Sequence, residues 1–110
     1  MHELAIATSV VDTISARVAG RKVHGVRLEI GKLSGVSVES LRFCFDIAAA
    51  GSEVDGAALE IEEPAGRARC ERCLEEFLVD DRILLCACGS SEVRVLAGDE
   101  LRILSVEVSR

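Results

Sequence analysis

The sequence predicts an α+β fold in which two helices pack on a small mixed or antiparallel sheet, and an inserted module interrupts that sheet. Three observations predict this fold. Apolar residues recur every three or four positions in two segments, as on one face of a helix. In three other segments apolar and charged residues alternate, which is typical of half-buried strands. Between the second and third strands lie four closely spaced cysteines, in a stretch with few large apolar residues.

The two helices are predicted from their apolar positions and from the residues at their ends. The first should begin near residue 4 and end before Gly20. The second should occupy residues 38–50 and end before Gly51, because the hydroxyl of Ser37 suits a helix N-cap. The apolar positions are Leu4, Ala7, Val11, Ile14 and Val18 in the first helix and Leu41, Phe45 and Ala48 in the second.

The three strands are predicted in the segments VHGVRLEIG, ALEIEE and ELRILSVEV. Their apolar positions are Val26 with Leu28 and Ile30, then Leu59 with Ile61, and finally Leu104 with Val106 and Val108. After Pro64 the chain has four cysteines and few large apolar residues, and the strand pattern returns after Asp99. We therefore predict that residues 1–64 and 99–110 form one α+β domain and that residues 65–98 form the insert.

Composition excludes several classes of function. The net charge of −6 argues against nucleic-acid binding, which normally requires a basic surface. The longest apolar runs are far shorter than the roughly 20 residues that a membrane span needs, and the acidic start does not resemble a secretory signal. We expect a cytoplasmic protein that does not bind a membrane. In that reducing compartment, cysteines indicate metal binding or catalysis rather than disulfides.

The cysteines form two pairs, Cys70 with Cys73 and Cys86 with Cys88. Two such pairs separated by a hairpin-sized spacer predict a zinc ribbon, since two thiolates of one turn converge on one cation. A module of this size buries too little apolar surface to fold without a metal. The spacer EEFLVDDRILL is predicted to form two short strands around residues 80 and 81. A redox dithiol is the alternative, because Cys-x-x-Cys also serves thiol–disulfide exchange.

The second cysteine pair is one residue shorter than the usual Cys-x-x-Cys turn. Two ligands can still converge from positions i and i+2, so we predict Cys86 and Cys88 as ligands, in a differently turned loop. Cys44, which stands between two phenylalanines, is interpreted as a small buried hydrophobe. His24 is interpreted as a surface residue. The sequence offers no Ser-His-Asp or Cys-His pairing, so we do not expect an enzyme.

The histidine in the opening sequence MHEL has two interpretations. Chain termini are usually frayed and solvated, so His2 is ordinarily a polar residue of no consequence. In a metal-binding protein, however, a terminal amine, the amide of residue 2 and the imidazole of His2 are adjacent and can chelate one ion. Nitrogen-rich, near-planar ligand sets of this kind suit Ni(II) and Cu(II). The Glu3 carboxylate could serve as an axial ligand or orient the imidazole.

Four features together resemble the HypA/HybF family of nickel metallochaperones for NiFe-hydrogenase maturation. These are the start MHEL, the strand and turn VRLEIGKLSGV, the two cysteine pairs, and the closing segment ELRILSVEV. The resemblance covers essentially the whole chain. It implies a nickel-binding domain with a zinc-ribbon insert, in which Ni(II) is transient cargo and Zn(II) is structural.

The resemblance also implies residues and partners. Nickel is taken up by the His2 imidazole with the backbone of Met1, His2 and Glu3, and zinc by the four cysteines. The partners are a HypB-type GTPase and the hydrogenase large-subunit precursor, with urease as a second recipient. We expect a monomer or a weak homodimer. Two other functions remain open at this stage: a zinc-ribbon adaptor whose metal is only structural, and a small dithiol oxidoreductase.

Overall fold

The computed structural model describes residues 2–81 and 83–109 and has the predicted α+β composition. Its elements are α1 (Glu3–Val18), β1 (Val23–Ile30), α2 (Val38–Ala49), β2 (Ala58–Glu62), β3 (Gly66–Cys70), β4 (Glu76–Val79), β5 (Val93–Ala97) and β6 (Leu101–Val108). The chain divides into two compact units. The first comprises Met1–Leu28, Val36–Ile61 and Arg102–Arg110, and the second comprises Glu29–Gly35 and Glu62–Leu101. The second unit therefore includes seven residues around the turn after β1 in addition to the cysteine-containing stretch.

Helix α1 buries most of its predicted apolar stripe. Ala7, Val11, Ile14 and Val18 are buried, as expected. Leu4 was predicted on this stripe, but half of its surface is exposed, so that prediction was wrong. The physical reason is its place in the first turn, where its side chain lines a surface pocket with Phe43 and Cys44 of α2 rather than reaching the core.

Helix α2 begins at the predicted cap. The Ser37 hydroxyl accepts a hydrogen bond from the Ser40 N–H at 3.2 Å, which satisfies a backbone donor at the helix start. Leu41 and Phe45 are almost completely buried, and burial of side chains of this size stabilises the fold by roughly 1.5–3 kcal/mol each. At the end of the stripe Ala49 is buried, where Ala48 was predicted; Ala48 is only half-buried.

The sheet of the first unit has the strand order β2-β1-β6, so β1 is its central strand. The three apolar positions predicted in β1, Val26, Leu28 and Ile30, are all buried. In contrast, β6 is an edge strand, and Leu104 on its predicted apolar face is 38% exposed. An edge strand has a neighbour on one side only, which explains this incomplete burial. Within residues 2–81 and 83–109, neither helix has the length and apolarity that crossing a bilayer requires.

The second unit contains an antiparallel sheet with the order β4-β3-β5. Ala68 lies opposite Phe77 of β4 and Val95 of β5 in this sheet. A small apolar core lies beneath it. Its buried members are Leu33, Ala68 and Val79, with Phe77, Leu84 and Val93 packed against them. An apolar core of this size is too small to account for the stability of the unit on its own.

One prediction about the spacer between the cysteine pairs was wrong. Its first half forms β4, but residues 83–85 are not in a strand. The third strand of this sheet is β5, which follows the second cysteine pair. The physical reason is that the Asp81 carboxylate accepts a hydrogen bond from the Ile83 N–H at 2.8 Å, which turns the chain after β4. With β4 on one edge of β3, the other edge is then available to β5.

Glycines allow close backbone approach in this unit, and Gly98 combines such an approach with a positive φ. Its φ is +114°, and a Cβ there would lie 2.5 Å from the Cα of Gly66. We expect Gly98→Ala to lower the free energy of unfolding of the zinc-loaded protein by at least about 3 kcal/mol, because overpacking adds to backbone strain. Urea denaturation measures this loss.

Gly89→Ala is the matched control, since Gly89 has φ +94° but open space around its Cα. It should cost only the strain of the left-handed backbone, on the order of 1–2 kcal/mol. Equal losses in the two variants would show that the contact between Gly66 and Gly98 contributes nothing.

Candidate metal sites

The four predicted cysteines converge in the second unit. The sulfur atoms of Cys70, Cys73, Cys86 and Cys88 all lie within 4.8 Å of one another. Cys70 Sγ is 3.7 Å from Cys88 Sγ, and Cys73 Sγ is 3.5 Å from Cys86 Sγ. These distances are far longer than the roughly 2.05 Å of a disulfide bond, and all five cysteines are unbridged.

Each cysteine pair lies in a tight turn closed by backbone hydrogen bonds. In the first turn, the Cys70 carbonyl accepts from the Leu74 N–H at 3.0 Å, and the Cys70 N–H donates to Glu75 O at 2.9 Å. In the second, the Cys86 carbonyl accepts from the Gly89 N–H at 2.8 Å, and the Cys86 N–H donates to Ser90 O at 3.0 Å. The shorter pair thus makes the same kind of turn with one residue fewer.

Both turns end on a residue with positive φ. Gly89, at +94°, adopts this conformation at little cost, whereas Leu74, at +68°, is strained because a branched side chain rarely occupies that region. The first cysteine of each pair is buried and the second is exposed. Hence each turn directs one sulfur from the interior and one from the surface toward a common point.

Backbone N–H groups, burial and the neighbouring sulfurs together shift the pKa values of the thiols. The backbone N–H of Cys73 is the main cause that lowers the pKa of Cys70 to about 6. The Cys88 N–H also lowers the pKa of Cys86, but desolvation and the neighbouring sulfurs outweigh it and raise that pKa to about 12. The Cys70 thiol therefore loses its proton readily, whereas the Cys86 thiol retains its proton. A divalent cation at the centre of the cluster would offset the repulsion between neighbouring thiolates, so that all four thiols could be deprotonated.

The donor set fits zinc. Four thiolates at about 2.3 Å from a tetrahedral ion would have their sulfurs about 3.8 Å apart, close to the separations of 3.5 and 3.7 Å in this cluster. All-sulfur tetrahedral sites are typical of structural zinc. With all four positions taken by protein ligands, such a site leaves no position for a substrate. The cluster is thus consistent with a structural zinc ion.

His2 lies at the start of α1. It is the N-cap residue, its side chain is exposed, and its side chain makes no capping hydrogen bond in the part of the chain that the structure describes. Its carbonyl accepts from the Ile6 N–H at 3.1 Å, which begins the helical ladder. The N–H groups of His2 and Glu3 have no acceptor within the helix, because a helical N–H donates to the carbonyl four residues earlier and α1 begins at Glu3. Met1, the third predicted backbone donor, lies outside the described residues.

Glu3 makes a contact that sequence reasoning missed. Its Oε2 accepts a hydrogen bond from the backbone N–H of Ser37, the N-cap of α2, at 3.0 Å. This bond is the largest cause that lowers the pKa of the Glu3 carboxyl. The predicted role of this carboxylate was axial ligation or imidazole orientation. The sequence did carry a signal for this contact. Ser37 is followed three residues later by Ser40 rather than by the Glu or Gln of a capping box, so the N–H of Ser37 needs an acceptor from elsewhere.

Two further residues singled out in the sequence lie elsewhere. Cys44 is half-buried in α2 and is not part of the sulfur cluster, although it was predicted to be buried. His24 is exposed on β1, as predicted, and its ring is hydrogen-bonded to the Ser109 hydroxyl. Neither residue belongs to the metal-ligand group found among the described residues.

Comparison with known proteins places the chain in a family. The family model described as hydrogenase/urease nickel incorporation, metallochaperone, HypA matches residues 1–108. The chain belongs to the HypA family. Hydrogenase maturation factor HypA from Chlorobaculum tepidum is 46% identical over 112 residues, covering 98% of this chain and 99% of that protein. HypA from a Nostoc species is 42% identical over 108 residues, covering 98% and 96% respectively.

Solved structures agree on the HypA fold. The solution structure of the Ni metallochaperone HypA from Helicobacter pylori matches with a TM-score of 0.67 at 24% identity, covering 98% of this chain and 97% of that one. A second HypA solution structure matches with a TM-score of 0.64 at 23% identity, covering 99% of this chain and 97% of that one. The resemblance found in the sequence is therefore confirmed. The family is one of nickel metallochaperones for hydrogenase maturation.

Proposed function

We propose that this chain binds Ni(II) at its N-terminus and delivers it for NiFe-hydrogenase maturation. The observation that carries the proposal is the match of the nickel-incorporation family model from residue 1 to residue 108. Support also comes from His2, which has an exposed side chain at the helix start next to backbone N–H groups that lack helical acceptors. The family description extends to urease, which we propose as a second recipient.

The proposed nickel ligands are all nitrogens. They are the amine of Met1, the amides of His2 and Glu3, and the His2 imidazole. Such a set favours the near-planar coordination of Ni(II). Because the amides and the imidazole must lose protons to bind, uptake releases protons and weakens in acid. Protonation of these nitrogens would therefore favour release of the ion.

The proposed zinc ligands are Cys70, Cys73, Cys86 and Cys88. Their convergence within 4.8 Å and the small apolar core of the second unit support a structural role for the ion. A redox dithiol needs one close pair of sulfurs, whereas here each sulfur has a neighbour from the other turn. We propose residues 65–98 as the zinc-ribbon insert in the domain of residues 1–64 and 99–110.

The proposed delivery involves no catalytic turnover. The protein transfers the ion by ligand exchange to a HypB-type GTPase and to the hydrogenase large-subunit precursor. It acts in the cytoplasm as a monomer or weak homodimer, without nucleic acid or membrane. The net charge of −6 supports the last two points, since a phosphate surface would repel this chain.

Counting metals on the untagged protein tests the proposal. After equilibration with Ni(II) at neutral pH and gel filtration, we expect one zinc and one nickel per chain by elemental analysis. Zinc without nickel would contradict nickel delivery and favour the adaptor function. Loss of both metals with rapid titration of all thiols, together with disulfide reductase activity, would favour the oxidoreductase. A thiol count on the zinc-loaded protein completes the test.

A further inference from the structure

A side-chain hydrogen bond joins the start of α1 to the start of α2. Glu3 is half-buried, and its Oε2 accepts from the Ser37 N–H at 3.0 Å, although the two residues are 34 positions apart. The acceptor is an ionised carboxylate, and charge-assisted hydrogen bonds are roughly twice as strong as neutral ones. The carboxylate also lies at the N-terminus of both helices, where negative charge is favoured.

This contact completes the cap of α2 from outside the helix. In a capping box, an N-cap Ser accepts from the N–H three residues later, and a Glu or Gln at that later position accepts from the N-cap N–H. Ser37 makes the first of these bonds with Ser40 at 3.2 Å. Ser40 carries a short hydroxyl in place of the longer acceptor. Glu3 supplies the second bond from α1.

The same residue contributes the backbone amide next to His2. Holding the Glu3 side chain on α2 therefore restricts the motion of the first turn of α1, whose backbone ladder begins with the bond from Ile6 N–H to His2 O at 3.1 Å. First turns of helices fray when nothing holds them. A chelate made from adjacent backbone nitrogens gains affinity when these nitrogens are held in place before the ion arrives.

We propose that Glu3 is a positioning residue for the nickel site: by accepting the hydrogen bond from Ser37, its carboxylate holds the N-terminal turn in the conformation that binds nickel. This inference rests on the proposed function, because it concerns the same terminus. In this proposal the Glu3 carboxylate binds the N–H of Ser37 at the start of α2 and does not coordinate the metal. Ser37, the N-cap of α2, therefore supports the nickel site through Glu3 and does not contact the ion.

Replacement of the carboxylate tests the proposal with and without metal. In metal-free protein, Glu3→Ala should speed the hydrogen exchange of the Ile6 amide, because that amide reports opening of the first turn. In untagged, zinc-loaded protein, Glu3→Ala should raise the nickel Kd about tenfold, mainly through faster dissociation, while Glu3→Gln, which keeps a neutral acceptor, should have a smaller effect. The absorption bands of the bound Ni(II) should stay near-planar in type. Unchanged Ile6 exchange would overturn the proposal.

A second variant separates positioning from simple helix stability. Ser40→Gln places a capping-box acceptor within α2 itself. In the double variant Glu3→Ala/Ser40→Gln, the thermal unfolding midpoint should recover, but Ile6 exchange and nickel dissociation should remain fast. If Ser40→Gln restored nickel binding as well, Glu3 would act only by stabilising α2, and the proposal would be wrong.

The donor can also be removed directly. Ser37 has φ −78°, which proline can adopt, so Ser37→Pro deletes the N–H that Glu3 accepts from. Ser37→Ala, which loses the same hydroxyl but keeps the N–H, is the matched control. Glu3→Ala should weaken nickel binding in the Ser37→Ala background and have little further effect in the Ser37→Pro background. Equal effects in the two backgrounds would contradict the proposal. Failure of the proposed function itself would appear differently, as unchanged nickel binding by His2→Ala.

Discussion

Cys70→Ser and Cys73→Ser are each expected to release zinc and unfold the second unit. The apolar core of this unit is built around three buried side chains, one of which is alanine, so burial alone supplies little stability. In comparable small modules, structural zinc contributes on the order of 10 kcal/mol to folding at neutral pH. A site with three thiolates loses much of this free energy. Elemental analysis measures the zinc, and backbone NMR shifts of β3, β4 and β5 measure the fold.

The first unit should remain folded in these variants. Most of its buried side chains come from α1, α2 and β1, among them Phe45 and Leu41, so the far-UV circular dichroism of both helices should persist. Cys44→Ser is the matched control, since Cys44 lies outside the sulfur cluster and should leave zinc unchanged. If both cluster variants kept one tightly bound zinc, the four-cysteine assignment would be wrong.

An N-terminal extension of a few residues is expected to abolish specific nickel binding without removing any side chain. The extension converts the terminal amine into an amide and moves His2 away from the chain end. His2→Ala removes the imidazole and should have a similarly large effect. Loss of a direct ligand should exceed the roughly 10- to 100-fold loss that follows removal of an outer-shell contact. Isothermal titration with Ni(II), together with the absorption spectrum of the complex, measures both effects.

The controls for this prediction are available within the same chain. His24→Ala removes the second histidine, which is exposed on β1 and hydrogen-bonded to Ser109, and should bind nickel as wild type does. A short extension at the C-terminus should likewise have no effect. The N-terminally extended protein should retain its zinc and its helices. Nickel uptake by both the extended and the His2→Ala proteins, at wild-type affinity, would mean that MHEL is only a solvated terminus.

The sequence alone predicted those elements whose signal is local. Periodic apolar residues gave α1 and α2 to within a residue or two, because a helix with one buried face must repeat every three or four positions. Alternation of apolar and charged residues likewise predicted β1 and β2. The Ser37 cap could be predicted because its partner is only three residues away. The cysteine spacing predicted one four-sulfur cluster, since short turns bring each pair together whatever the rest of the chain does.

Only the tertiary structure decided which distant groups meet. Strand β3 (GRARC) alternates arginine with small residues rather than with large apolar ones, and β5 (VRVLA) has no regular alternation. Their pairing therefore follows from the converging cysteines and the turn at Asp81 rather than from a strong local pattern. Leu4 fits the helical stripe, yet it is half exposed because the neighbouring part of α2 leaves it at the surface. The bond between Glu3 and Ser37 joins residues 34 positions apart. Local periodicity records which face of an element is buried, but it carries no information about which other element supplies the contact. For Glu3, that element is α2.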